Sequence, residues 1–106
     1  SAVRSYIYIL DAFKMIINIM FFGKKNTYNV GGDKLISIKK LGMGISDILK
    51  CSFKIPKNRI KNVSAPQLAS VDTELYKKEF GVLNHKHFKA SLKKTIEWQK
   101  FLYKKD

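Results

Sequence analysis

Arg4 is the residue in this chain with the clearest chemical potential. It stands just before Tyr6-Ile7-Tyr8-Ile9, a run of aromatic and β-branched side chains. A planar, permanently charged guanidinium is thereby set at the edge of an apolar segment. Such a fork grips a carboxylate or a phosphate through parallel N–H donors. Its spacing fits two roles: an anion-binding group, or one half of a structural ion pair with Asp11. His85 and His87 are two positions apart and could share a metal, but no cysteine or carboxylate cluster accompanies them. His87 reads instead as a residue at the start of the last helix.

Catalytic patterns are otherwise absent. Gly31-Gly32 and Gly42-x-Gly44 are too sparse for a phosphate cradle. No tyrosine is followed four residues later by lysine, and the few acidic residues are scattered, so no general-acid pair is visible. The single Cys51 provides neither a disulfide framework nor metal-ligand spacing, which suits a reducing compartment. Nothing at the start reads as a secretory signal, and the apolar run from Met15 to Phe22, broken by Asn18, is too short to span a bilayer. The expectation is a cytoplasmic protein.

The net charge of +13 raises the question of a polyanionic partner. Only Arg4 and Arg59 are arginine, whereas groove and phosphate readout leans on the arginine fork. The lysines are also spread along the chain rather than gathered in one arm. The charge therefore reads as a solvated, lysine-rich exterior, with no nucleic acid and no membrane as partner.

These residues must be positioned by a short series of elements. Tyr6 to Ile9 reads as a strand. Asp11 stands at an N-cap position before a helix that runs to Phe22, ends at Gly23, and is apolar on nearly every side. Such a helix belongs between two layers. Thr27 to Val30 reads as a second strand, closed by Gly31-Gly32. Ser37 can cap a helix with Ile38, Leu41, Ile45, Ile48 and Leu49 on one face; Gly42 and Gly44 weaken it or admit a close neighbour. Ser52 to Ile55 reads as a brief strand. Asp72 stands as the cap of a short helix over Thr73 to Phe80, stopped by Gly81. The last helix runs from about Phe88 to Tyr103, with Phe88, Leu92, Ile96, Gln99 and Leu102 on one stripe. Two or three strands cannot complete a sheet beside four helices. The expected fold class is α/β, or α+β for the isolated chain, helix-rich and with an incomplete sheet. Unpaired strand edges and a two-sided apolar helix also point to a homo-oligomer.

Five segments in order resemble the NAD-dependent epimerase/dehydratase family, the extended short-chain dehydrogenases that act on nucleotide sugars. Arg4-Ser5-Tyr6-Ile7-Tyr8-Ile9-Leu10-Asp11-Ala12 is similar to that family's R-(D/S)-aromatic-x-(H/Y)-(V/I)-x-D-(A/L) segment. Tyr28-Asn29-Val30-Gly31 resembles its (Y/F)-N-(V/L)-G strand, and Ile36-Ser37-Ile38 the (I/V)-(S/T)-I that opens the next helix. Pro66, Asp72-Thr73 and Lys77-Lys78-Glu79-Phe80-Gly81 resemble a P…D-(T/I)-(S/T)-K…LG stretch, and Thr95-Ile96-Glu97-Trp98 the closing (R/K)-T-I-x-W.

The resemblance implies the C-terminal portion of such an enzyme, inactive alone. The Gly-rich NAD fingerprint and the catalytic tyrosine and lysine would then lie on residues ahead of Ser1. It further implies chemistry through a 4-keto sugar with tightly held NAD, a nucleotide-sugar substrate, and Arg4 on the substrate diphosphate. Residues 1–32 would form a strand-helix-strand unit against the NAD-binding domain, and residues 33–106 the substrate-binding lobe. Asp11, Asn29 and Gly31 would serve as structural motif positions. Many members carry a second phosphate-binding arginine where this chain has Asn62; the neighbouring Lys61 supplies charge there without the fork. Two other readings compete: a stand-alone basic module for nucleic acid or acidic membrane, and a degenerate scaffold kept for oligomerisation.

Overall fold

In the computed structural model, which describes residues 2–54 and 68–104, a three-stranded sheet is crossed by four helices. The elements run β1 (Val3–Ser5), α1 (Ile9–Phe22), β2 (Leu35–Ser37), α2 (Ile38–Leu49), β3 (Leu68–Ala69), α3 (Glu74–Phe80) and α4 (Phe88–Leu102). The chain is therefore mixed α and β, with a small mixed sheet of order β2-β1-β3. β1 is its centre, antiparallel to β2 and parallel to β3; Arg4 lies opposite Ile36 on one side and Ala69 on the other.

The strand expected over Tyr6 to Ile9 is displaced. β1 ends at Ser5, where its partner β2 begins at Leu35, and helical pairing is under way when the Ala12 N–H reaches the Tyr8 carbonyl at 3.0 Å. Tyr8, not Asp11, is the N-cap of α1, and its side chain makes no capping bond. Residues 27–30 are not a strand either. No neighbouring edge among the described residues pairs with them, and a strand exists only through its ladder. Residues 51–54 are likewise irregular, and Ile55 lies outside the described residues.

The helix signals after residue 35 survive intact. The Ser37 hydroxyl accepts the Lys40 N–H at 3.0 Å and caps α2. Gly44 faces α4 so closely that a methyl group there would lie 3.0 Å from Leu92, which explains a glycine inside a helix. Asp72 lies one position outside the assigned cap, Thr73, but its carboxylate accepts the Glu74 N–H at 3.0 Å, as a cap would. His87 caps α4, its Nδ1 accepting the Lys89 N–H at 3.3 Å.

α1 is not buried between two layers. Met15 is buried, but Phe13, Ile16, Met20, Phe21 and Phe22 are exposed, because the eight-residue sheet has no area to cover them. One of its contacts with the rest of the chain is with α3. Asn18, the residue that interrupts the apolar run, donates to the Tyr76 hydroxyl at 2.9 Å. Tyr76 stacks at 4.8 Å on Phe80, whose ring lies 6.1 Å from Tyr28. The Tyr28 hydroxyl donates to Glu79 and accepts the N–H groups of Lys24 and Lys25, while the Lys24 N–H also reaches the Glu79 carboxylate at 2.8 Å.

This latch sets a pH dependence. The Tyr28 hydroxyl hydrogen bond is the main reason the Glu79 carboxyl is held below its ordinary value of 4.5; desolvation opposes it, and the Lys24 N–H and the Lys24 and Lys25 charges assist. The folded chain then binds the Glu79 proton less tightly than the unfolded chain. The stabilisation is complete above 4.5 and is lost as pH falls through the lower folded value. The thermal midpoint of the wild type should therefore fall across that acidic range, and Glu79→Gln should flatten this part of the profile; equal slopes for both proteins would show the latch is not formed.

Candidate functional site

Arg4 is half-buried on the central strand, where both neighbours hold its backbone. Its guanidinium donates to the Val3 carbonyl at 2.9 Å and meets no carboxylate among the described residues. The expected ion pair with Asp11 is absent. Asp11 is buried in the first turn of α1, and its carboxylate accepts the Lys86 N–H at 2.9 Å. The reason is geometric: with α1 beginning at Ile9, Asp11 turns toward the loop ahead of α4 rather than back along β1. The Lys86 ammonium stands 5.6 Å above the Tyr8 ring, a cation–π contact that holds the same loop. Among the described residues the Arg4 fork has no acceptor besides the Val3 carbonyl.

The other motif residues have structural roles. Asn29 donates to the Asp72 carbonyl at 3.0 Å, and Gly31 is buried against Val71, which ties residues 29–31 to the residues before α3. Lys61, Arg59 and Asn62 lie outside the described residues. Arg4 is consequently the one expected binding residue whose surroundings are defined.

A cleft of about 330 Å³ opens between the β1–α1 connection, β2, α2 and α4. Tyr6, Ile36, Phe88 and Leu92 form its apolar wall, and the Tyr6 and Phe88 rings are 6.4 Å apart. Gly32 closes one side; a methyl group there would lie 2.0 Å from the Tyr6 carbonyl oxygen, so only glycine fits. Arg4 does not line this cleft. Ser91 and His85 do, and the Ser91 hydroxyl and the His85 Nε2 are buried without a hydrogen-bond partner among the described residues. Neither had been singled out for this place. The signal in the sequence was faint: Ser91 and Thr95 are polar positions beside the apolar stripe of an amphipathic helix.

Among the described residues no group of three or more metal-ligating side chains comes together; His85 lines the cleft and His87 caps α4. No described helix is long and apolar enough to cross a membrane. A dinucleotide cradle needs glycines between a strand and the helix it feeds. Here Gly31 and Gly32 precede β2, and the β1–α1 connection contains none, so these residues do not fit NAD. No family model matches the chain, and neither curated proteins nor solved structures provide a match.

The separation of Arg4 from Asp11 can be measured. Asp11→Ala should cost about 1–3 kcal/mol by leaving the Lys86 N–H unsatisfied, and Asp11→Asn, which keeps an acceptor, should recover most of it. Arg4→Gln combined with Asp11→Ala should be additive within about 0.5 kcal/mol in denaturant unfolding. A larger coupling would restore the ion pair.

Proposed function

We propose that this chain is the substrate-side, C-terminal part of an NAD-dependent epimerase or dehydratase acting on nucleotide sugars. In this reading Arg4 grips the substrate diphosphate. The supporting observation is Arg4 itself: a half-buried residue on the central strand, without a carboxylate partner among the described residues, inside the first of five ordered segments. An arginine fork without a carboxylate partner among the described residues suits bidentate contact with an external phosphate.

The open face of α1 supports the same reading. A helix this apolar needs a covering layer. An NAD-binding domain outside this chain would supply that layer, with residues 1–32 packed against it. NAD, the 4-keto chemistry and the catalytic tyrosine and lysine belong to that domain. The chain itself binds and orients. Cytoplasmic location and a homo-oligomer accompany the proposal.

The basic-module reading is favoured by one feature, the exposed lysines of α4, among them Lys89, Lys93 and Lys100. A single titration separates the two. Nucleoside diphosphate sugars added to the chain should perturb the Arg4 side-chain resonances without turnover. Arg4→Gln should weaken that binding about tenfold or more, since it removes a charge-assisted, bidentate contact. Binding that falls steeply with salt, is shared by any polyanion and ignores Arg4→Gln would support the basic module and remove the enzyme reading.

A further inference from the structure

We infer that the cleft between the sheet, α2 and α4 is a binding site for a small neutral ring compound carrying a hydroxyl or carboxamide group, separate from the Arg4 anion site. The inference is independent of the enzyme reading, because Arg4 is not in the cleft wall.

Three observations define the ligand. The first is size. A volume of about 330 Å³ corresponds to roughly ten water molecules at about 30 Å³ each, the scale of a single substituted ring. The second is the pair of orphaned polar atoms. Ser91 is more than nine-tenths buried, and among the described residues neither its hydroxyl nor the His85 Nε2 has a partner. Leaving such groups unmatched is unfavourable, and both residues line the cleft. Ser91 can change among staggered rotamers to meet it. A hydroxyl or carboxamide both donates and accepts, so it satisfies the serine and either tautomer of the histidine.

The third is the balance of the remaining wall. Asp11 and Asp33 are offset by Lys34 and Lys86, so the cleft offers no net attraction to an anion or a cation. Asp11 and Lys86 are further committed to each other's segment through the Asp11 carboxylate and the Lys86 N–H. Against these stand the Tyr6 and Phe88 rings with Ile36 and Leu92, an apolar surface suited to the body of a ring. A charged ligand would be desolvated there without a dedicated counter-ion.

Titration of the full chain with benzyl alcohol and benzamide, read by amide chemical shifts, tests this. Both should give saturable shifts confined to residues 6–8, 32–36 and 83–92, with a Kd on the order of 1 mM. Benzoate and benzylamine should bind at least about tenfold more weakly. Ser91→Ala should weaken the neutral probes about fivefold while raising the thermal midpoint of the free protein, because it deletes an unsatisfied buried hydroxyl. His85→Ala provides a second, independent loss. Absence of shifts with the neutral probes overturns the inference, as does binding unaffected by both substitutions. Shifts centred on Arg4 overturn it too while leaving the diphosphate reading standing; conversely, cleft binding without any response to nucleotide sugars removes only that reading.

Discussion

Three residues of β1 hold this molecule together. Val3, Arg4 and Ser5 are paired on both sides, with β2 antiparallel and β3 parallel, so one short strand joins segments from the start, middle and later part of the chain. Everything else is positioned from it. β2 runs directly into α2 through the Ser37 cap, and β3 leads into the Asp72 and Thr73 turn of α3. The Ile38 N–H bond to the Ala2 carbonyl extends the tie by one residue into α2. A sheet this small fixes directions well but covers little.

The consequences of that small area run through the core. Among the described residues the buried apolar side chains are Met15, Ile36 and Tyr76, one each from α1, β2 and α3. Where apolar burial is scarce, polar ties carry more of the organisation. Asn18 to Tyr76, Asn29 to Asp72, and the Tyr28–Glu79 latch all bind α1 and its following turn to the α3 region. Asp11 to Lys86 performs the same service at the other end of α1, toward α4. The helix is thus anchored by its polar residues at both ends, while much of its apolar surface stays uncovered.

This arrangement separates two kinds of chemistry. Arg4 sits on the rigid strand, a suitable mount for a group that must hold an anion in a fixed direction. The cleft, by contrast, is framed by the β1–α1 connection and the loop before α4, with its polar atoms on Ser91 and His85. One position offers a charge without a carboxylate partner among the described residues; the other offers neutral hydrogen-bonding groups within an apolar wall. They call for different ligands.

Much of the local structure was readable from residue types. Ser37, Gly81, His87 and the period of Ile38 to Leu49 mark helix ends and faces because capping and amphipathicity act within one or two turns. The strands were not readable in that way. Tyr6 to Ile9 and Thr27 to Val30 have strand-like side chains, yet the ladder forms at Val3–Ser5 and Leu35–Ser37. Strand identity depends on a partner distant in sequence, and composition reports only the willingness to pair. Asp11 shows the same limit: its residue type announced a cap or an ion pair, and only the fold brought it to a backbone N–H 75 positions away. The sequence by itself determined the presence of the helices, the Ser37 and His87 caps and the arginine fork, since these rest on local contacts. Tertiary structure alone decided the strand register, the exposure of α1 and the cleft at Ser91, since each depends on which distant surfaces meet.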